Sequence, residues 1–249
     1  GLQLAKQLAG RGCRALVLTS RRGVLSPTDR EALTALGVHV CVRACDASDA
    51  ASCAQLATWL RETMPPVQVF AHAAGTLAFH LLPDLGPESF SAVVGPKFVG
   101  STTLVSEELP VESALLFSST AATWSQPGAA HYSSGNAALD AAAAEWHAAG
   151  LPGTAVDFGP FADAGMAAGL DNTMEAVGLK PLRLRCVGTA FVSSGGLPHR
   201  VHAVLDAARF VRVNTVKGPW SLVAGLAQDE PASEPPAAKD NGSRRRVAA

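Results

Sequence analysis

The chain has 249 residues, enough for one large α/β domain, and its 48% hydrophobic and 16% charged residues are those of a globular protein. A formal net charge of −1 gives no general attraction to nucleic acid or to membranes, and no run approaches the ~18 apolar residues of a membrane span. The five cysteines (Cys13, Cys41, Cys45, Cys53 and Cys186) form no C-x-x-C pair and have no histidine at ligand spacing, which fits a reducing compartment and predicts no metal site.

The first residue is Gly, and "GLQLAKQLAGRG" reads as a helix with apolar Leu2, Leu4, Leu8 and Ala9. The chain is therefore expected to begin inside a fold, and a targeting segment, if there is one, to lie upstream. The expected location is the cytoplasm, or a plastid if an upstream region carries a transit peptide. Five mostly apolar runs follow as predicted strands: "RALVLTS" (14–20), "VHVCVRACD" (38–46), "VQVFAHAAG" (67–75), "SALLFSS" (113–119) and "GTAVDFGP" (153–160). Between them "PTDREALTAL", "DAASCAQLATWLRET", "PESFSAVVGPKFVGSTTLVSEEL" and "YSSGNAALDAAAAEWHAAG" have helical composition.

Apolar strands alternating with helices predict a doubly wound parallel sheet covered on both faces, an α/β Rossmann-like domain. A sixth strand is expected at "HRVHAVLD", preceded by helical pieces in "MAAGLDNTMEAVGL" and "RCVGTAFVSSGG". Residues 1–227 are assigned to this domain. Residues 228–249, rich in Pro, Ala, Ser and charge, are assigned to a disordered linker whose "RRR" is solvated.

Ligands of such a sheet bind at the carboxyl ends of its strands. Gly1 before a helix is what would remain of a G-x-x-G-x-x-G-L loop cut at its last glycine, which predicts that the first strand and most of that loop are missing. The first visible strand ends in Arg21 and Arg22, where a guanidinium would accept the 2′-phosphate of NADPH; an acidic residue there would favour NAD. Asp46 ends the next strand, placed to accept from an adenine amino group. Ala73, Ala74 and Gly75 then let backbone approach a dinucleotide closely.

Ser119 ends a further strand, and Tyr132, the only tyrosine, follows thirteen residues later at the start of a helix. Two hydroxyls so placed can meet one substrate carbonyl, the phenol as proton donor and the serine as hydrogen-bond donor. A free phenol has a pKa of about 10 and needs a neighbouring cation to work at neutral pH. The candidate is Lys97 in "GPKFVG", on the preceding long helix. Asn136, one turn from Tyr132, shares its face and can hold a water or the lysine amine.

These segments, with "LVLTSRRG", "CDASD", "FAHAAGTL", "GPKFVG", "LLFSSTAATWSQPGAAHYSSGNAALDA", "GLPGTAVDFGPFADAGMA" and "GLKPL", resemble the ketoreductase domains of modular type I polyketide synthases, a branch of the short-chain dehydrogenase/reductase superfamily. The resemblance covers roughly residues 1–225. It implies that the lysine and asparagine of the ordinary reductase tetrad have exchanged places: Lys97 the amine, Ser119 the oxyanion donor, Tyr132 the acid, Asn136 the relay. It implies that Arg21 carries the NADPH 2′-phosphate, that Asp46 meets the adenine, and that Gly159 and Pro160 shape the nicotinamide end. "ADAGMAAGLDNTMEAVGL", with Met166, would be a lid over the substrate groove.

The implied reaction reduces a β-ketoacyl thioester on an acyl carrier protein to the β-hydroxyacyl thioester, among neighbouring synthase domains. In many of these domains "HAAG" leads into Leu-Asp-Asp, whereas this chain has "HAAGTLAFHLL"; Trp124, eight residues before Tyr132, holds the position that marks the opposite class. The resemblance thus implies the A-type, L-hydroxy direction. The span from Lys97 to Ser119 is two residues shorter than the family's, a shortening expected near residues 108–110; within the helix it would turn Lys97 off the site. Alternatives are the ketoreductase of a type I fatty acid synthase, a free-standing short-chain dehydrogenase, and a non-catalytic structural remnant. The polypeptide as written is expected to be poorly stable and inactive.

Overall fold

Apolar runs of strand length alternate with longer amphipathic runs, and the backbone follows that alternation. The computed structural model describes residues 1–105, 111–124, 127–151, 153–162, 171–192 and 196–215. Helix α1 (Leu2–Ala9) leads into β1 (Ala15–Ser20), α2 (Pro27–Thr34), β2 (His39–Ala44), α3 (Ala50–Thr63) and β3 (Val69–His72). Then come α4 (Pro87–Val105), β4 (Ser113–Ser119), the short α5 (Thr120–Thr123), α6 (Ala130–Ala148) and β5 (Gly153–Phe158). The chain continues through α7 (Asp171–Ala176), β6 (Leu179–Lys180), α8 (Val187–Val192), β7 (His199–His202), β8 (Val204–Leu205) and α9 (Ala207–Thr215).

All main-sheet pairings are parallel: β1 with β2, and β3-β4-β5-β7 in that order. Among the described residues β1 and β3 are not paired with each other, so the sheet is in two parts. Exposure follows: Val69 on β3 is 45% exposed, although its side chain is apolar. Strand β5 lies between two partners and all six of its residues are buried. Side chains alternate across it. Val156 and Phe158 pack with Leu4, Val187 and Phe191 on one face, while Ala155 packs with Leu116, Leu139 and Ala143 against α6 on the other. Fully buried side chains such as Leu116 and Leu139 stabilise the fold by about 1.5–3 kcal/mol each.

Capping follows the sequence. Ser26 Oγ accepts from the Asp29 amide at 3.1 Å, with Pro27 opening α2, and Asp49 caps α3 by accepting from Ala51 N at 3.0 Å.

Several expectations need correction. The stretch 67–75 is strand only over Val69–His72, and Ala73–Gly75 leave the sheet, because their small side chains give little to pack. "HRVHAVLD" is two strands: β7 in the main sheet, and β8, which pairs antiparallel with β6 where a helix was expected to end. Helix α9 was not anticipated. Its Val211 and Val213 obscure the helical period, and tertiary packing decides: Phe210 is 1% exposed, seated against Trp124 and Leu179. Residues 163–170, including Met166, the boundary at residue 227 and the tail after it lie outside the described residues. Among the described residues, no helix is long and apolar enough to cross a membrane.

Candidate active site

A cavity of about 590 Å³ opens at the carboxyl ends of β3, β4 and β5 and the amino end of α1. That is an ordinary volume for a small-molecule site. Its walls carry ten of the residues singled out from sequence: Gly1, Ala73, Ala74, Gly75, Lys97, Ser119, Trp124, Tyr132, Gly159 and Pro160. Asn136 lies immediately behind Tyr132, fully buried. Arg21, Arg22 and Asp46 do not line the cavity; they stand at the ends of β1 and β2.

Helix α4 brings Lys97 in. The residue is 3% exposed, its Nζ donates to the Phe117 carbonyl at 3.1 Å, and it stands 5.7 Å from the centre of the Tyr132 ring. The helix therefore keeps Lys97 turned toward Tyr132 despite the shorter span to Ser119; residues 108–110, where the shortening was expected, lie outside the described residues. Burial pushes the Lys97 ammonium down to about 8, partly offset by the negative charges of Asp140 and Asp157.

Pro96, inside α4, has no N–H to give the Ala92 carbonyl one turn back. Thr76 fills the vacancy, its hydroxyl donating to Ala92 O at 2.8 Å, which pins the segment after Gly75 to the helix that carries Lys97. On the other side, His72 Nε2 lies 3.0 Å from Pro96 O and acts as the donor there, since a carbonyl can only accept.

Tyr132 enters near the start of α6. Burial raises its phenol pKa, while the Ser119 hydroxyl and the Asn136 side chain pull it down by smaller amounts. Ser119 also caps α5 by accepting from Ala121 N at 3.2 Å, which fixes its rotamer at the strand end. The Asn136 Nδ2 donates to the Tyr132 carbonyl at 2.7 Å, and its buried Oδ1 has no donor among the described residues and can accept from an amine or a water.

At the other end, Gly23 has φ +60°, and a methyl group there would fall 2.6 Å from Ala44 N. Only glycine lets the turn bearing Arg21 and Arg22 fold back on β2. Arg21 faces Asp46, and with the two hydrogen bonds from Ser48, at 2.6 and 2.9 Å, it holds the Asp46 carboxyl below the usual carboxylate range; the Ser48 bonds contribute most. Trp124 does two things: it lines the cavity, and it packs edge-on to Phe210 at 5.2 Å.

Sequence reasoning missed Thr76, His72, His131, Asp140 and Asp157. The signal for Thr76 was Pro96, which demands a substitute donor. For Asp140 it was spacing: Tyr132, Asn136 and Asp140 follow one another by one helical turn and share a stripe of α6. His131 is fully buried edge-on to His80 with neither ring nitrogen partnered, and nothing in the chain order links the two.

The parallel sheet flanked by helices, with a hydroxyl, a phenol and an amine lining the cavity at its carboxyl edge, is that of the doubly wound α/β class. Comparison with known proteins narrows this: residues 1–163 match the family model described as "KR domain", and the chain belongs to that family, the ketoreductase domains of polyketide synthases, which are oxidoreductases. It is 35% identical over 233 residues to polyketide synthase GfsA of Streptomyces halstedii, covering 92% of this chain and 3% of that one. Among solved structures it superposes on an A-type ketoreductase from a modular polyketide synthase with a TM-score of 0.84 at 28% identity, covering 91% of this chain and 50% of the other. It superposes on a C2-type ketoreductase from a modular polyketide synthase with a TM-score of 0.81 at 26% identity, covering 90% and 50%. The chain thus spans a small part of the synthase and about half of each ketoreductase chain.

Proposed function

We propose that this domain performs the NADPH-dependent reduction of a β-ketoacyl thioester, presented on the phosphopantetheine arm of an acyl carrier protein, to the β-hydroxyacyl thioester during polyketide assembly. The observation that carries the reading is the meeting of Lys97, Ser119 and Tyr132 in one cavity whose wall also includes the small-residue track Ala73–Gly75 with Gly159 and Pro160.

The residues present fit a dinucleotide. The amino end of α1, with Gly1, opens on the cavity and offers backbone donors to a pyrophosphate. Ala73, Ala74 and Gly75 allow close approach, Asp46 can accept from an adenine amino group, and Arg21 and Arg22 suit a 2′-phosphate. When bound, the nicotinamide supplies the hydride. The protein's part is the proton and the charge: Tyr132 Oη gives its proton to the carbonyl oxygen, and the Ser119 hydroxyl hydrogen-bonds that oxygen as it gains negative charge. Lys97 stabilises the phenolate left behind, lowering a pKa that burial alone would raise. Asn136 holds the relay position behind them.

The A-type, L-hydroxy direction is the finer part of the proposal, supported by Trp124 in the cavity wall and by Leu77-Ala78-Phe79 in place of Leu-Asp-Asp.

The test uses the intact ketoreductase as it occurs in its parent chain, with a β-ketoacyl pantetheine thioester and NADPH. Tyr132→Phe is expected to lose turnover by ~10²–10⁴-fold while nucleotide binding persists. Unchanged turnover overturns the assignment of the acid, and chiral analysis of the alcohol decides the configuration.

A further inference from the structure

Asp157 is the one ionisable residue of β5, and it is fully enclosed. Its Oδ2 accepts from the Thr123 hydroxyl at 2.7 Å; its Oδ1 has no hydrogen-bond donor among the described residues. Facing it from α6 is Asp140, whose Oδ1 is likewise buried and unpartnered. The neighbouring strand β7 supplies a third group: His199 Nε2 lies 3.3 Å from Asp157 Oδ2 and 3.8 Å from Asp140 Oδ2. One ligand atom from each of the three residues lies within 4.8 Å of the other two.

Two carboxylates facing each other out of water need positive charge between them, at a cost of several kcal/mol per ion if it is missing. Lys97 acts on both acids through its charge, while its Nζ donates to the Phe117 carbonyl. A single proton shared between the two carboxyls, which stand within hydrogen-bond reach of each other, is the competing way to supply that charge.

The separations are informative. A charge-assisted N–H···O bond closes to about 2.7–2.9 Å, and 3.3 and 3.8 Å are longer than that. Ligands on a tetrahedral ion with bonds of about 2.0–2.1 Å stand about 3.3–3.4 Å apart, which the His199–Asp157 separation matches and the His199–Asp140 separation exceeds.

We propose that Asp140, Asp157 and His199 form a binding site for a divalent first-row cation of the zinc type. Two carboxylate oxygens and one imidazole nitrogen fill three tetrahedral positions, and the fourth opens beside His199, whose side chain is 39% exposed and gives the ion its way in. The Thr123 hydroxyl orients Asp157, and the Ser118 hydroxyl is close enough to Asp140 to act on its charge. The ion would tie α6, β5 and β7 together two helical turns from Tyr132, as a structural site. The proposal does not depend on the reductase reading.

The experiment takes the intact chain that carries this domain, stripped of metal by chelation, and titrates it with Co²⁺ alone. The expected result is one equivalent with the intense visible bands of a tetrahedral ion, displaced by Zn²⁺ and lost in both Asp157→Asn and His199→Ala. Because His199 is on the surface, His199→Ala keeps the fold even if Asp157→Asn does not, and its NADPH affinity checks that. No stoichiometric uptake, or uptake unchanged in His199→Ala, overturns the proposal. So does a protonated-carboxyl infrared band in metal-free protein that Asp140→Asn removes while Co²⁺ fails to bind; that result would assign the charge to a shared proton.

Discussion

Lys97 and Tyr132 reach each other across two helices: the amine stands 5.7 Å from the centre of the phenol ring and is anchored on the Phe117 carbonyl at 3.1 Å. If the ammonium tunes the phenol, Lys97→Met should cut turnover by ~10²–10⁴-fold. The fold should survive, since burial dominates the amine and removing it relieves a desolvation cost. The cation is the active form and titrates near 8, so turnover by the unaltered protein should fall as pH rises through about 8. Steady-state rates across pH, with a melting curve for the variant, check both statements.

Two glycines make opposite predictions about α4. A methyl group at Gly100 would fall 2.8 Å from Ala47 Cβ, 2.9 Å from Ala47 O and 2.9 Å from His72 Cε1. Backbone cannot yield there, so Gly100→Ala should destabilise by about 1–3 kcal/mol despite better helix propensity. The nearest atoms to a methyl at Gly135 on α6 are Lys97 Cδ and Val94 Cα, at 3.4 Å, an ordinary contact distance. Gly135→Ala should therefore be neutral or stabilising by up to about 1 kcal/mol. Urea unfolding of the two variants measures the contrast.

The order of strands and helices was legible because it rests on period: six parallel-sheet strands were placed from apolar runs alone. Ser119 and Tyr132 were legible because the carboxyl-end rule turns chain order into proximity, and Lys97 because a phenol acid calls for a neighbouring cation. What escaped was set by tertiary partners. Phe210 makes α9 helical only by burying against Trp124, and Thr76 matters only because Pro96 leaves a carbonyl open. Asp140, Asp157 and His199 come from a helix and two strands, and no spacing in the sequence announces that they meet.

Trp124 separates a groove role from a core role. Its ring packs on Phe210 while its buried Nε1 has no partner among the described residues, so Trp124→Phe keeps the edge-on contact and removes that donor. Its melting temperature should therefore change little. If the indole also guides the substrate, the minor alcohol stereoisomer should increase severalfold, measured by chiral chromatography of the product. An unchanged isomer ratio would leave Trp124 as packing alone.

His72 should set an acid limit on stability. It is 4% exposed, and burial, followed by the charge of Lys97, pushes its imidazole down from the ordinary 6.5 to about 4, against the smaller opposing effect of its bond to Pro96 O. The folded state thus binds fewer protons than the unfolded state between those values. Stability contributed by the neutral ring is complete above about 6.5 and is lost as pH falls toward 4, by at most roughly 3 kcal/mol. His72→Gln keeps a donor that can reach Pro96 O and cannot titrate. Unfolding free energies measured at about pH 7 and about pH 5 should therefore differ less in the variant than in the parent. An equal acid loss in both would assign that limit to other groups.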